Sequence, residues 1–190
     1  TILNIAGSLA NPAMPKRGVR GVYSKEMVLP LAEAMRMIGY RRAMVVYGHT
    51  AEGERGMDEV SPSGNTFVAE LREDGRIETF ILRPEDFGAE PIDERYILPR
   101  EDRIEEATEL LRVLSGEERG PRETAVCINS APILYIAGRA ENLSEGFSAS
   151  REIIRSGKAI EKLGEWVSIQ NSDPAAGSER LEFLVERALN

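Results

Sequence analysis

A single cysteine and a single histidine limit the chemistry of this 190-residue sequence. Cys127 has no partner for an internal disulfide, which suits a reducing compartment. Lying in the apolar run "TAVCINSAPILYIAG", it reads as a small core residue rather than a reactive thiol. With His49 alone, no histidine-rich metal centre and no histidine pair can form within the chain. Basic charge is also scarce: 24 Lys and Arg stand against 32 Asp and Glu, for a net charge of -8 and a pI near 4.9. That balance excludes a nucleic-acid-binding surface, which needs clustered cations in excess. Lys16-Arg17 and Arg41-Arg42 are tight basic pairs, and pairs of this kind are usually solvated. No stretch approaches the roughly 18 apolar residues that read as a membrane span, and no basic-then-apolar leader opens the sequence. A cytoplasmic protein is expected. Internal repeats and low-complexity segments are lacking as well. The first residue is Thr1, in mid-pattern, which suggests an upstream portion.

What is there is ordinary globular material, 42% hydrophobic and 29% charged, enough to bury a real core. "TILNIAGSLANPA" reads as a helix end entering a loop, broken at Gly7 and then at Asn11-Pro12. "GVRGVYS" is a short strand candidate. Ser24 can cap a helix in which Val28, Leu31, Ala32, Met35 and Ile38 recur at helical spacing, with Gly39 as the stop. "RAMVVYG" is a continuous apolar run, the pattern of a strand covered on both faces. Strand, helix, strand in this order predicts a parallel crossover unit. "TFVAELRED" and "GRIETFIL" alternate around Asp74-Gly75 and predict a hairpin.

Helices are expected near Glu101–Leu114, burying Ile104, Ala107, Leu110, Leu111 and Leu114, and then from Pro121, as a buried central helix despite Pro132. Asn129 in that helix is expected to satisfy a buried backbone group. Two further helices carry Leu143, Phe147, Ile154 and Ile160, Leu163, Val167. "NSDPAAG" breaks the pattern before a short amphipathic end. The expected architecture is α/β, a mostly parallel sheet with an antiparallel hairpin flanked by helices, with 1–170 as the main body and 171–190 as a helical tail.

"GMDEVSPSG", residues Gly56 to Gly64, carries the chemistry. Ligand loops of α/β sheets gather at the carboxyl ends of strands, and the segment from Gly48 to Gly64 leaves such an end. Adjacent carboxylates on a regular strand point to opposite faces, so Asp58 and Glu59 can share a site only from a loop. Carboxylate oxygens suit Mg²⁺, which takes one or two protein carboxylates together with substrate phosphates. Standing alone, the pair reads as a solvated loop pair, because Asp-Glu dipeptides are common. Other candidates point elsewhere: His49 reads as an exposed loop residue, and turn formation explains Ser61 and Ser63. The glycines at 48, 53 and 56 follow neither the P-loop nor the dinucleotide spacing.

In order, "TILNIAGSLANPA", "GVYSKEMVLPLAEAMRMIG", "AMVVYG", "GMDEVSPSG", "PEDFG" and "INSAPILYIAGRAENLSEG" resemble the carboxyl-terminal half of the anthranilate phosphoribosyltransferase family, from Thr1 to about Val167. The resemblance implies a nucleoside phosphorylase/phosphoribosyltransferase-like domain, here incomplete. It implies that Asp58 and Glu59 hold a Mg²⁺ that also contacts the diphosphate of phosphoribosyl diphosphate, in a reaction joining phosphoribosyl to anthranilate for tryptophan biosynthesis. "GSLANP" looks like the family's "G-P-L-x-N-P", which implies that Gly7 and Ser8 lie along the anthranilate channel, with Ser8 where proline is usual.

Tyr47 stands where the family commonly has histidine, and the loop from His49 to Arg55 is longer than usual. The glycine-rich diphosphate loop, a Lys-His-Gly-Asn block and an arginine before Thr1 are not in this sequence. The resemblance therefore implies an amino-terminal half, in cis or in trans, as a partner needed for turnover, and a homodimer when complete. Two alternatives stay open: a pyrimidine nucleoside phosphorylase-related domain, against which "GMDE" argues, and a non-catalytic interaction module on the same scaffold.

Overall fold

A computed structural model describes residues 7, 9–53, 55–170 and 172–189. Its centre is strand β2 (Arg42–His49), whose side chains are buried on both faces as the apolar run predicts. Met44 and Val46 face one layer, with Phe87, Cys127, Ile128, Ala131 and Phe147. Ala43 and Val45 face the other, with Leu31, Ala32 and Met35. The two-residue period of a strand thus joins two cores through one segment.

β1 (Arg17–Gly21) pairs parallel to β2, through helix α1 (Val28–Met37). Val28, Leu31, Ala32 and Met35 of α1 are buried as their spacing predicts, whereas Ile38 lies beyond the last turn and is 48% exposed. Gly39, at φ 96°, ends the helix in the left-handed region that glycine enters without strain. β4 (Thr66–Leu71) and β5 (Ile77–Leu82) form the expected hairpin, with Gly75 at φ 83° in its turn. A two-residue strand, β3 (Gly56–Met57), pairs antiparallel to the end of β2, beyond the last residue that β1 covers.

The sheet order is β1-β2-β4-β5, with β3 beside β2. The class is the expected α/β, but the balance of pairings is not mostly parallel: among the described residues only β1 and β2 run parallel. Among its described residues the segment between β2 and β4 contains no crossover helix, and β4 returns antiparallel to β2.

Helices α2 (Arg103–Leu114), α3 (Pro121–Ile136), α4 (Leu143–Arg155), α5 (Lys158–Gln170) and α6 (Pro174–Leu189) follow the sheet. In α2 the buried residues are Leu111 and Val113, and Leu110 is 49% exposed, because α2 packs chiefly on α6 rather than on the sheet. α6 begins at Pro174, a residue suited to a first helical position, so "PAAG" is its first turn rather than a break. Arg112 of α2 donates to the carbonyl of Ala188 at 3.2 Å and ties α6 down.

α3 is the central helix of the first core. Gly146 of α4 lies so close to it that a Cβ there would sit 2.7 Å from the Ala131 carbonyl oxygen. Buried Glu123 accepts two hydrogen bonds from Arg155, at 2.7 and 2.8 Å. Cys127 is buried, and desolvation pushes its thiol up to about 11, the opposite of a reactive cysteine.

A candidate metal site at the carboxyl end of strand β2

Where β2 ends, the chain must turn twice within a short distance, and glycines make the room. A Cβ on Gly21, the last residue of β1, would lie 1.4 Å from the Asp58 carbonyl oxygen. One on Gly48 would lie 2.6 Å from the Glu59 carbonyl oxygen and 2.9 Å from the Ser61 nitrogen. The backbone of the acidic pair therefore rests directly on two strands at positions where no other residue fits. Gly56 lies against the Tyr47 ring in the same way.

Side chains fix the residues immediately after the pair. The Val60 N–H donates to Asn129 Oδ1 at 2.8 Å, and Asn129 Nδ2 donates to the Val60 carbonyl at 3.0 Å. Ser61 is buried and explains the turn: its hydroxyl donates to the His49 carbonyl at 2.6 Å and accepts from the N–H groups of Ser63 and Gly64. Thr66 Oγ1 accepts from the Ser61 N–H. Ser63 donates to Glu94 at 2.6 Å. Both serines are thus turn-forming residues, as their sequence context predicts.

Asp58 and Glu59 themselves are exposed. Glu59 has its carboxyl raised above the ordinary glutamate range, first by the desolvating protein around it and then by the neighbouring charge of Asp58. No Lys or Arg among the described residues forms an ion pair with either acid. The donor set fits a hard divalent cation: two carboxylates on a fixed backbone, repelling one another and without a counter-charge among the described residues. Among the described residues no group of three or more His, Cys, Asp or Glu gathers as an all-protein cage, so a cation here would draw remaining ligands from water or substrate.

His49 is not an exposed loop residue. It is the last residue of β2, half-buried, with its ring 5.0 Å from Tyr47 and 5.4 Å from Phe67 in edge-to-face contacts. Its Nδ1 lies 3.1 Å from the Gly53 carbonyl, which closes the turn over 50–53. A cavity of 580 Å³ beside that turn is lined by Thr50, Arg55, Glu94 and Arg95 among others, and does not include the acidic pair. Gly7 is exposed, and no atom of the other described residues lies within 4 Å of where its Cβ would stand. Ser8 lies outside the described residues.

Residues 1–160 match the family model described as glycosyl transferase family, a/b domain. The chain belongs to that family. Among curated relatives in this glycosyl transferase family, anthranilate phosphoribosyltransferase of Methanobrevibacter smithii is 40% identical over 172 residues, covering 90% of this chain and 49% of the relative. That of Agrobacterium fabrum is 43% identical over 171 residues, covering 90% and 47%. The crystal structure of anthranilate phosphoribosyltransferase from Thermus thermophilus superposes with a TM-score of 0.76 at 33% identity, over 87% of this chain and 46% of that one. The Saccharomyces cerevisiae enzyme in complex with PRPP and Mg gives 0.72 at 30% identity, over 86% and 45%. This chain thus spans about half the length of the relatives it matches.

Two parts of the site lie beyond sequence reasoning. The glycines at 21 and 48 give no local sign that they receive the acidic pair. Asn129 is legible as a backbone-satisfying residue, but nothing in its own helix says that its partner is Val60.

Proposed function

We propose that this chain is the portion of an anthranilate phosphoribosyltransferase that holds the divalent cation, with Asp58 and Glu59 as its carboxylate ligands. The observation that carries the reading is an acidic pair on a glycine-cradled backbone at the carboxyl end of β2, without a protein counter-ion among the described residues. The relatives named for this activity, and the neighbour containing PRPP and Mg, support the substrate class and the metal. A bound Mg²⁺ would act as a Lewis acid on the diphosphate as it departs from ribose C1. Asp58 and Glu59 would orient that ion and take no proton from anthranilate. Gly21 and Gly48 let the loop sit on the sheet, and Ser61 and Thr66 fix the turn after it. Gly7 and Ser8 would border the anthranilate.

Because the chain covers about half of its relatives, we assign turnover to this portion joined with the remaining half of a relative, which we place on the amino-terminal side, and a dimeric assembly to that complete form. Fusion or co-expression with that half from a relative, followed by anthranilate consumption with phosphoribosyl diphosphate and Mg²⁺, is the direct test. Activity is expected in the joined form only. In that form Asp58→Asn together with Glu59→Gln should lower metal-dependent turnover by about 100-fold or more. Unaltered Mg²⁺ dependence in the double variant would remove the assignment.

A further inference from the structure

We propose that Asn129 is a positioning residue for the acidic pair, acting from helix α3 through the backbone of Val60. The proposal rests on the metal-holding reading of Asp58 and Glu59, and concerns what keeps those side chains in register.

A carboxamide offers one acceptor and two N–H donors on a short arm. Asn129 uses all of them. Oδ1 accepts from the Val60 N–H at 2.8 Å, while Nδ2 donates to the Val60 carbonyl at 3.0 Å and to the Ala125 carbonyl at 3.1 Å. No other assignment of its oxygen and nitrogen satisfies two carbonyls and one N–H together. The bond to Ala125, one turn earlier in α3, fixes the carboxamide to its own helix. The pair of bonds to Val60 imitates a β-bridge between a side chain and a main chain.

The consequence falls on Glu59. The Val60 N–H belongs to the same planar peptide unit as the Glu59 carbonyl, and that carbonyl is packed against Gly48. One edge of the plane is therefore gripped by Asn129 and the other rests on β2. The preceding plane, carrying the Asp58 carbonyl, rests on Gly21. With both flanking peptide planes fixed, the backbone angles of Glu59 are set, and with them the direction in which its side chain leaves the chain, while Asp58 is held through the plane that it shares with Glu59. Val60 itself is buried at 1% exposure in the same core cluster as Cys127, Ile128 and Ala131 of α3, so the grip has a rigid base. Partners of this indirect kind commonly change metal affinity by about 10- to 100-fold when removed.

The test uses Mn²⁺ on the full chain, read as paramagnetic broadening of the Asp58 and Glu59 amide signals, so that turnover is not required. In Asn129→Ala the Mn²⁺ dissociation constant is expected to rise about tenfold, with the amide signals of the β4–β5 hairpin unmoved. Asn129→Asp keeps the acceptor for the Val60 N–H but points an oxygen at two carbonyls, and should weaken Mn²⁺ in the same direction.

If the Asp58→Asn, Glu59→Gln double variant keeps wild-type broadening, the metal reading itself fails and this proposal fails with it. If the double variant loses the broadening while a folded Asn129 variant retains wild-type affinity, the metal reading stands and the positioning role is overturned. Should neither Asn129 variant fold, hydrogen exchange in the wild-type chain decides. A Val60 amide as unprotected as those of the 50–53 turn would overturn the grip, and slow exchange would support it.

Discussion

The two ends of strand β2 treat acidic side chains in opposite ways. At the amino end, Glu70 is buried yet has Arg42 at 3.7 Å and Arg72 at 3.3 Å, and Arg72 also bonds Glu78 at 2.9 Å. Glu73 meets Arg17, and Asp74 meets Arg76. At the carboxyl end Asp58 and Glu59 have no Lys or Arg partner among the described residues, and stand beside each other on a backbone held by glycines and by Asn129, Ser61 and Thr66. One end spends its cations on closing the fold. The other fixes the main chain of the acidic pair and gives that pair no cation among the described residues. The contrast teaches that an unpaired acid is informative when the same sheet pairs its other acids, and when the unpaired segment is as rigidly held as the rest.

The contrast can be broken most severely at Gly21. Gly21→Ala places a methyl group 1.4 Å from the Asp58 carbonyl oxygen. Either β1 or the acidic loop must then move, at a cost of about 3 kcal/mol or more, read as a lowered midpoint in urea. A midpoint within error of wild type would show that the loop does not depend on that contact. At the paired end, Arg72→Met leaves buried Glu70 with Arg42 alone, at a longer distance. A loss of about 2 kcal/mol is expected in the same assay, below the full value for a buried pair because Arg72 is partly exposed.

Acidity sharpens the comparison. Glu59 is raised, first by desolvation and then by Asp58. A bound divalent cation needs the ionised form. Mn²⁺ affinity should therefore begin to fall, as pH is lowered, at a higher pH than an ordinary glutamate would dictate. Asp58→Asn removes one cause of the rise and should move that onset downward. An onset unaffected by Asp58→Asn would show that the two carboxylates do not sense each other.

The smallest effect concerns stability without metal. Because its folded carboxyl is raised above the unfolded one, Glu59 contributes stability only when protonated, and that contribution is lost as pH rises through the folded value. Glu59→Gln should therefore leave the metal-free chain at neutral pH as stable as wild type or slightly more so, by no more than about 0.5 kcal/mol. A clear loss in thermal unfolding would mean that the charge serves the fold.

Much of the frame was legible because its signals are local. The apolar run of β2, the hairpin around Gly75 and the four buried positions of α1 follow from period and punctuation within a few residues. The acidic pair was legible as a candidate for the same reason. What escaped depends on residues distant in sequence. Arg42, which resembles a solvated surface cation, stacks 4.1 Å over the Tyr135 ring and serves Glu70. Gly21 looks like any strand glycine until Asp58 arrives against it. The mixed sheet followed from a connection that lacks a helix, which periodicity within the strands could not reveal.

The aromatic contacts beneath the loop give the molecule a natural reporter. His49 is the one histidine of the sequence, and its ring stands edge-on to Tyr47 and Phe67, with Tyr47 against Gly56 at the entry to the acidic pair. Its imidazole C–H protons therefore give an isolated pair of resonances, displaced by ring currents from both neighbours. Any rearrangement of the loop on cation or substrate binding would be visible in that pair without isotope labelling or an introduced probe.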